Sequence, residues 1–124
     1  MGPRELVPPG WPPEVLPPQA PDWERNAVGW LFDLCPADYR AHEVLRRHPV
    51  VLARFAAGHV EAAVGAARHG IRTVRAELKG LVAPEVVDAA IAAYEREGRR
   101  LLVVGRQVAL VDAALRGERH VPRL

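Results

Sequence analysis

Two apolar stripes in the second half of the chain mirror each other about a short turn. In both stripes the residues recur every three or four positions, which is the period of helices that pack along one seam. When the stripes are paired outward from the turn, the residue numbers of each couple add to 165, as two antiparallel helices require. The sequence therefore predicts a long helical hairpin. The first stripe is Val50, Ala53, Ala57, Val60, Val64, Ala67, Ile71, Val74 and Leu78, and the second is Val87, Ile91, Tyr94, Gly98, Leu101, Gly105, Val108, Asp112 and Leu115.

Prolines and glycines mark the ends of the two predicted helices. Pro49 suits the first helical position, and Gly80 suits a left-handed helix end. Pro84 suits the start of the second helix, and Gly117 suits its end. The predicted bounds are about 49–79 and 84–116.

Asp112 is the only charged residue in the two stripes. In the mirrored register it would face Ala53 in the seam. We expect Val111 to turn inward instead, which leaves Asp112 to pair with Arg116 one helical turn further on.

Two shorter helices are predicted before the hairpin. Asp22 is a suitable N-cap, and Pro36 ends the first of these helices. The second is expected over 37–47. Apolar residues left over on the flanks of the hairpin need further cover. We therefore expect an all-α fold in which the two short helices complete a four-helix bundle. A dimer that pairs two hairpins is the alternative, and the two arrangements are compatible.

The N-terminal segment has a different composition from the rest of the chain. Residues 1–21 hold eight of the twelve prolines, which favour polyproline II and oppose helix. They either form an arm that lies on its own domain or, through 8–13, resemble ligands of proline-reading domains. The 124 residues suffice for one core. The predicted parts are a Pro-rich arm (1–21), a helical bundle domain (22–117) and a short C-terminal tail (118–124).

Composition also bears on the compartment. The single cysteine excludes an internal disulfide, and the N-terminus lacks the pattern of a signal peptide. The longest candidate for a membrane span, 101–115, is interrupted by polar residues and is shorter than the ~20 apolar residues needed. Sixteen of the seventeen basic residues are arginine, which suggests a GC-rich genome. We therefore predict a cytoplasmic bacterial protein without a membrane partner.

Four cations lie three and four residues apart on one side of the first long helix, and we call them the Arg face: Arg68, Arg72, Arg75 and Lys79. Like charges at this spacing repel each other slightly, so a compensating partner is expected. The Arg face is a candidate surface for phosphate, nucleic acid or a partner protein. The alternative is neutralisation within the hairpin, where the register predicts Lys79 near Glu85, Arg75 near Asp88, and Arg68 near Glu95 and Glu97.

Residues that carry catalysis or bind metals form no recognisable pattern. The chain has no serine, which excludes serine nucleophiles, and one threonine, Thr73. It has no Glu-x-x-His motif of the kind that helical bundles use for metals, and no glycine-rich phosphate loop. Cys35 is expected to be a small buried residue, because the end of a helix disfavours a thiolate. We therefore predict no cofactor and no metal, and we assign no catalytic residue.

Two resemblances add further expectations. Arg54 and His59 form an Arg-x4-His motif that resembles the signature of the HEPN family, helical domains that include ribonucleases. This resemblance implies that Arg54 stabilises phosphate charge and that His59 transfers a proton. The chain also resembles small all-helical proteins of high-GC Gram-positive bacteria that have no assigned function. The second resemblance is carried by the Pro-rich start and by the segments Asp22-Trp23-Glu24-Arg25 and Leu45-Arg46-Arg47-His48-Pro49.

These features favour a non-enzymatic helical interaction or regulatory protein that self-associates, for example as a homodimer, or binds another protein. A nucleic-acid-binding bundle that uses the Arg face is the first alternative. A HEPN-like ribonuclease is the second.

Overall fold

A computed structural model of the chain describes residues 7–119 and residue 121, and within these residues it is helical without β-strands. The two long helices pack together, and their ends agree with the predicted bounds to within one residue. The chain divides into two compact units: unit 1 is Met1–His59 with Arg106–Leu124, and unit 2 is Val60–Gly105. The helices are α1 (Trp23–Asp33), a 3₁₀ helix (Ala37–Ala41), α2 (Glu43–Arg47), α3 (Pro49–Leu78) and α4 (Pro84–Leu115).

Glycines end both long helices, as predicted. Gly80 follows α3 with φ 79°, and Gly117 follows α4 with φ 90°, a region that favours glycine. After α4, the amide of Glu118 donates to the carbonyl of Ala113, and the amide of Gly117 donates to that of Ala114, both at 3.0 Å. These two bonds form a Schellman motif, which satisfies carbonyls that the end of a helix leaves without partners.

The core of unit 1 draws on all four α-helices and on the Pro-rich segment before them. Its largest fully buried side chains come from the N-terminal arm, α1, α2, the start of α3 and the end of α4. The arm therefore contributes to the core in addition to covering it. These fully buried residues are Pro12, Val15, Leu31, Leu45, Leu52, Val108 and Val111.

Hydrogen bonds hold the arm against itself and against α1. The indole nitrogen of Trp11 donates to the carbonyl of Val15 at 3.0 Å, and the Trp11 ring lies 6.4 Å from that of Trp23. The amide of Leu16 donates to Oδ1 of Asn26 at 2.6 Å, while the Asn26 side-chain nitrogen donates to an arm carbonyl at 3.3 Å. Because Trp11 is buried, the arm does not offer this tryptophan to a proline-reading partner.

The prediction of one helix over 37–47 is wrong, because the segment breaks at His42. His42 has an extended backbone, with φ −84° and ψ 110°, between the 3₁₀ helix and α2. On one continuous α-helix, Tyr39 and Leu45 would point about 120° apart. The break allows Leu45 to be fully buried while the ring of Tyr39 packs on Phe55.

In unit 2, α3 and α4 form the antiparallel pair that the mirrored stripes predict. A Cβ atom placed on Gly98 would lie 3.9 Å from that of Ala67, and one placed on Gly105 would lie 3.7 Å from a methyl group of Val60. Both are pairs of the predicted register, so the register is confirmed at these points. At both points a Cβ atom would make ordinary van der Waals contact with the facing side chain, so the two helices are direct neighbours there.

Two members of the stripes depart from their predicted places. Tyr94 does not sit directly opposite its expected partner, because its ring occupies the space where Gly70 has no side chain. Ala57 is exposed, and the fully buried residue of that turn is Ala56. In unit 1 the buried side of α3 therefore includes Ala53 and Ala56, which are three residues apart.

The expectation for Asp112 is confirmed. Val111 is fully buried, whereas Asp112 lies at the edge of the core and accepts two bonds of 3.1 Å from Nε of Arg116. The two residues are four apart on α4, so the ion pair forms within one helix.

One helix, Pro49–Leu78, is long and apolar enough to cross a membrane by length and composition. The expectation that 101–115 is the longest candidate is therefore wrong, because the alanines of α3 compensate for its few charges. Only 28% of the most apolar stretch of α3 is buried. Core helices of soluble proteins pass the same test, so its result alone does not place α3 in a membrane.

Candidate functional site

The four residues of the Arg face are all exposed in unit 2, the three arginines on α3 and Lys79 directly after its end. Arg75 donates to Asp88 on α4 at 3.1 Å, which is one of the predicted pairs. Both side chains are about two-thirds exposed, at 65% and 67%. Water screens a pair of this kind, so it contributes little to stability.

The other three members of the Arg face remain unneutralised. Arg68, Arg72 and Lys79 form no ion pair with any residue that the structure describes. Glu97, a predicted partner of Arg68, instead accepts bonds of 2.6 and 3.1 Å from Arg100 on its own helix. This hydrogen bonding lowers the pKa of the Glu97 carboxyl. A partner three residues away is already aligned by the helix, so the local pair forms in place of the cross-helix one.

Next to the Arg face, α3 in unit 2 exposes a band with small side chains at its centre. At position 65 a Cβ atom would meet nothing within 4 Å. One turn beyond the band, the hydroxyl of Thr73 donates to the carbonyl of His69 at 2.9 Å. We call this band the outer face of α3, and it consists of Glu61, Ala62, Gly65, Ala66, Arg68 and His69.

Two residues of the outer face carry opposite charges and lack partners. Neither Glu61 nor Arg68 forms an ion pair with a described residue. They are seven positions apart on one side of α3, about 10 Å along the axis, which exceeds the spacing of helical side-chain pairs. The outer face thus presents one anion and one cation on either side of Gly65.

An aromatic cluster in unit 1 gathers around Tyr39. Its ring centre lies 5.9 Å from that of Phe55, 6.2 Å from His59 and 6.4 Å from His42, each at a steep angle. Edge-on contacts of this kind are favourable between rings. No local pattern predicts this cluster, because Tyr39 contacts residues that follow it by up to twenty positions.

The two residues of the HEPN-like motif point in different directions on α3. Arg54 is exposed, whereas His59 is half-buried against the ring of Tyr39. Five positions on an α-helix correspond to a rotation of about 140°. The structure therefore does not bring the guanidinium and imidazole groups together, and ribonuclease activity stays a prediction from the motif.

Cys35 lies just after α1 and is half-buried, which is less buried than the sequence predicts. Burial raises the pKa of its thiol, and the nearby Arg40 guanidinium lowers it in part. Arg40 is itself held by Asp33 at 2.7 Å and lies 5.4 Å from the centre of the Phe32 ring. A raised thiol pKa makes Cys35 a poor nucleophile at neutral pH.

Unit 1 also contains an open cleft of about 860 Å³. Its walls are prolines of the arm, the start of α1 and the last turn of α4. Its lining includes the charged residues Glu24, Glu118 and Arg119 and the apolar residues Trp23 and Leu110. Among the residues that the structure describes, no three His, Cys, Asp or Glu side chains are grouped so as to hold a metal ion.

No protein-family model, curated protein or solved structure matches the chain. The geometry of the surfaces described above is therefore the basis for a functional proposal.

Proposed function

We propose that the chain is a helical interaction protein that self-associates through α3. The observation that carries the proposal is the exposure of α3, of which only 28% of the most apolar stretch is buried. A helix with apolar residues on several sides is normally covered on more than one side. A second helix on the open side would remove apolar surface from water, which stabilises the assembly.

The thin core of unit 2 supports the same conclusion. In this unit only five apolar side chains among the described residues are buried. Two helices alone bury a single seam, and small structures gain limited stability from burial. A partner would give α3 a second buried face. The five residues are Val60, Ala67, Val74, Val87 and Leu101.

Within unit 1 we propose that α1 and α2 complete a four-helix bundle around the start of α3 and the end of α4. Each of the four helices contributes at least one fully buried side chain to this unit, which supports the arrangement. In order along the chain, these are Leu31, Leu45, Leu52 and Val108.

Sedimentation velocity and light scattering of the pure chain test self-association. From low to high micromolar concentration, we expect the mass to rise towards twice 13.6 kDa. A strict monomer at high micromolar concentration would contradict the proposal. Recovery of the chain only from detergent-treated membranes would contradict it as well, because α3 would then be covered by lipid.

Binding of nucleic acid through the Arg face is a second candidate function. It is favoured by Arg72 and Lys79, which are exposed and form no ion pair with any described residue. Free cations in a row attract phosphates and release counterions when they bind.

A salt titration of binding to a short RNA or DNA duplex tests this second function. Arg72→Ala with Lys79→Ala should weaken binding and reduce the slope against log salt by about 0.9 per lost contact on B-DNA. The matched control is Arg96→Ala with Arg99→Ala, which removes two exposed cations of α4 that likewise lack ion pairs. Equal loss in both double variants would indicate attraction to overall charge and would exclude a specific role for the Arg face.

A further inference from the structure

We propose that the outer face of α3 binds the same face of a second copy, with the two helices antiparallel about a twofold axis near Gly65. This inference rests on the proposed self-association and specifies its geometry. Three features of unit 2 support it: the spacing of two charges, the small residues between them, and a glycine that its own unit does not explain.

The first feature is the position of Glu61 and Arg68. The midpoint between them falls next to Gly65, so a twofold axis there brings Glu61 of each copy to Arg68 of the other. A twofold interface is self-complementary, and each such pair therefore occurs twice. Both side chains are exposed and lack an ion-pair partner among the described residues.

The same charges select the antiparallel orientation. In a parallel pair of α3 helices, Glu61 would face Glu61 and Arg68 would face Arg68. Like charges in direct opposition are unfavourable, and they suppress the wrong pairing. Only the antiparallel pair joins opposite charges at both ends of the contact.

The second feature is the size of the side chains between the two charges. Ala62, Gly65 and Ala66 are exposed and together present no atom beyond a Cβ. Small residues at a crossing allow helix axes to approach to the short end of the usual 8–10 Å range. At that separation, the long side chains of Glu61 and Arg68 can reach across the contact.

The third feature is Gly65 itself. A glycine inside a helix costs about 1 kcal/mol relative to alanine. A Cβ on Gly65 would meet nothing within 4 Å, so no contact of the chain with itself requires a glycine there. Gly70 differs, because the Tyr94 ring occupies the place that a Cβ atom would take and so accounts for the glycine. Gly58 is equally open, so the openness of Gly65 supports a crossing only together with the two charges on either side of it.

Charge reversal tests the proposal in the full chain. Glu61→Arg and Arg68→Glu should each weaken dimerisation at least tenfold, because each change places like charges together twice. The double variant exchanges the two charges and should restore the dissociation constant to within a few-fold of the original. The matched control is Arg96→Glu on α4, which should leave dimerisation unchanged.

The outcomes separate this inference from the function on which it rests. If the original chain dimerises and neither reversal weakens it, the antiparallel α3 contact is wrong while self-association stands. If both single variants weaken it and the double variant does not recover, the pairing of Glu61 with Arg68 is wrong. If the original chain is a monomer, both proposals fail.

Cross-linking gives a measurement that does not depend on charge. Cys35→Ala removes the only cysteine of the chain, and Ala66→Cys then places one thiol close to the proposed axis while Gly65 is kept. A short bis-maleimide should join two copies of this variant efficiently. Ala92→Cys in the same background, on the exposed side of α4, should give little cross-linked dimer. Equal yields at the two positions would overturn the proposal.

Discussion

Gly70 leaves room on α3 for the ring of Tyr94. A Cβ atom at Gly70 would overlap three ring carbons, whereas one at Gly58 would meet nothing within 4 Å. Both glycines lie inside α3, where glycine is unfavourable. At Gly70 the contact with Tyr94 offsets this cost, and at Gly58 no neighbouring atom does so.

Alanine substitutions at these two glycines should therefore differ. Gly58→Ala should raise the free energy of unfolding by about 0.5–1 kcal/mol, because alanine is the better helix former. For Gly70→Ala, the change in the free energy of unfolding should be lower than for Gly58→Ala by about 1 kcal/mol or more, because the new Cβ atom displaces the Tyr94 ring. Urea unfolding followed by circular dichroism measures both changes. In a Tyr94→Ala background the two gains should become equal, and equal gains without that change would contradict the assigned contact.

The thiol of Cys35 should react slowly at neutral pH. Burial raises its pKa above the ordinary value, so the thiolate fraction at any given pH is lower than in a free peptide. Alkylation by iodoacetamide should reach half its maximal rate at a higher pH than for an unstructured cysteine peptide. Arg40→Ala should move that midpoint higher still, while Arg25→Ala on α1 should not. Reaction at the rate of the free peptide would contradict the burial of Cys35.

The same shift has a consequence for stability. Because the pKa of Cys35 is raised in the folded chain, its contribution to stability is fully present below the ordinary thiol pKa. It is lost as pH rises through the raised value, since the unfolded chain releases the proton more readily. Cys35→Ala should therefore remove the part of the stability loss at alkaline pH that comes from this thiol.

Individual residues were predictable where the helical period alone decides their place. Val111 and Asp112 are one example. A charged residue is unfavourable in an apolar seam, so the neighbouring Val111 is buried in place of Asp112. Tyr39 is the opposite case, since its partners Phe55 and His59 come from a helix that begins ten residues later. No local pattern encodes that contact.

At the scale of elements, one tryptophan helps to hold the Pro-rich arm in place. Trp11 is buried, contacts Trp23 and donates to the carbonyl of Val15. Prolines restrict the unfolded arm, so less conformational entropy is lost when it is fixed on unit 1. The sequence predicts an arm from the prolines but cannot show that Val15 enters the core.

Removal of the Trp11 side chain should therefore destabilise the protein strongly. We expect Trp11→Ala to lower the free energy of unfolding by about 3–5 kcal/mol, as for other buried tryptophans. Trp11→Phe should cost less, because it keeps much of the apolar area, although it loses the indole hydrogen bond and part of the ring volume. Leu16→Ala, at a side chain that is 38% exposed, is the matched control and should cost no more than about 1 kcal/mol. Urea unfolding gives all three values, and a loss for Trp11→Ala no larger than for Leu16→Ala would contradict this role.

The long helices were predictable because their end signals and their period agree. Few alternatives remain for α3 and α4, because each has a proline at its start, a glycine after its end and an apolar stripe at helical spacing. The segment 37–47 lacks such agreement, and its break at His42 depends on burying Leu45 while Tyr39 packs on α3. The residues of the Arg face were predicted from their spacing alone. Glu97 bonds to Arg100 and not to Arg68, and spacing does not determine which of these two pairs forms.

At the scale of the whole molecule, buried side chains are distributed unevenly between the two units. All of the largest fully buried side chains belong to unit 1. In unit 2, the described buried residues are few, and two positions of the seam, Gly98 and Gly105, have no side chain. Local stability follows buried apolar surface, so the two units should open with different free energies.

Hydrogen exchange read by mass spectrometry should reveal this difference. Amides of α1 in unit 1 should be better protected than those of α3 and α4 within unit 2, apart from fraying ends. Raising the concentration from low to high micromolar should increase protection in unit 2 if a partner covers it, with α3 affected more than α4. Uniform protection across both units would contradict the uneven core.

The hydroxyl of Thr73 has a consequence for how a cell can alter this chain. With no serine in the sequence, Thr73 is its only aliphatic hydroxyl. A kinase specific for serine and threonine therefore has a single target atom, and that atom is already bound to the carbonyl of His69 inside a helix. Phosphorylation there would have to break this bond and would add close to two negative charges beside Arg72. Such a modification would act on the Arg face and the outer face of α3 together.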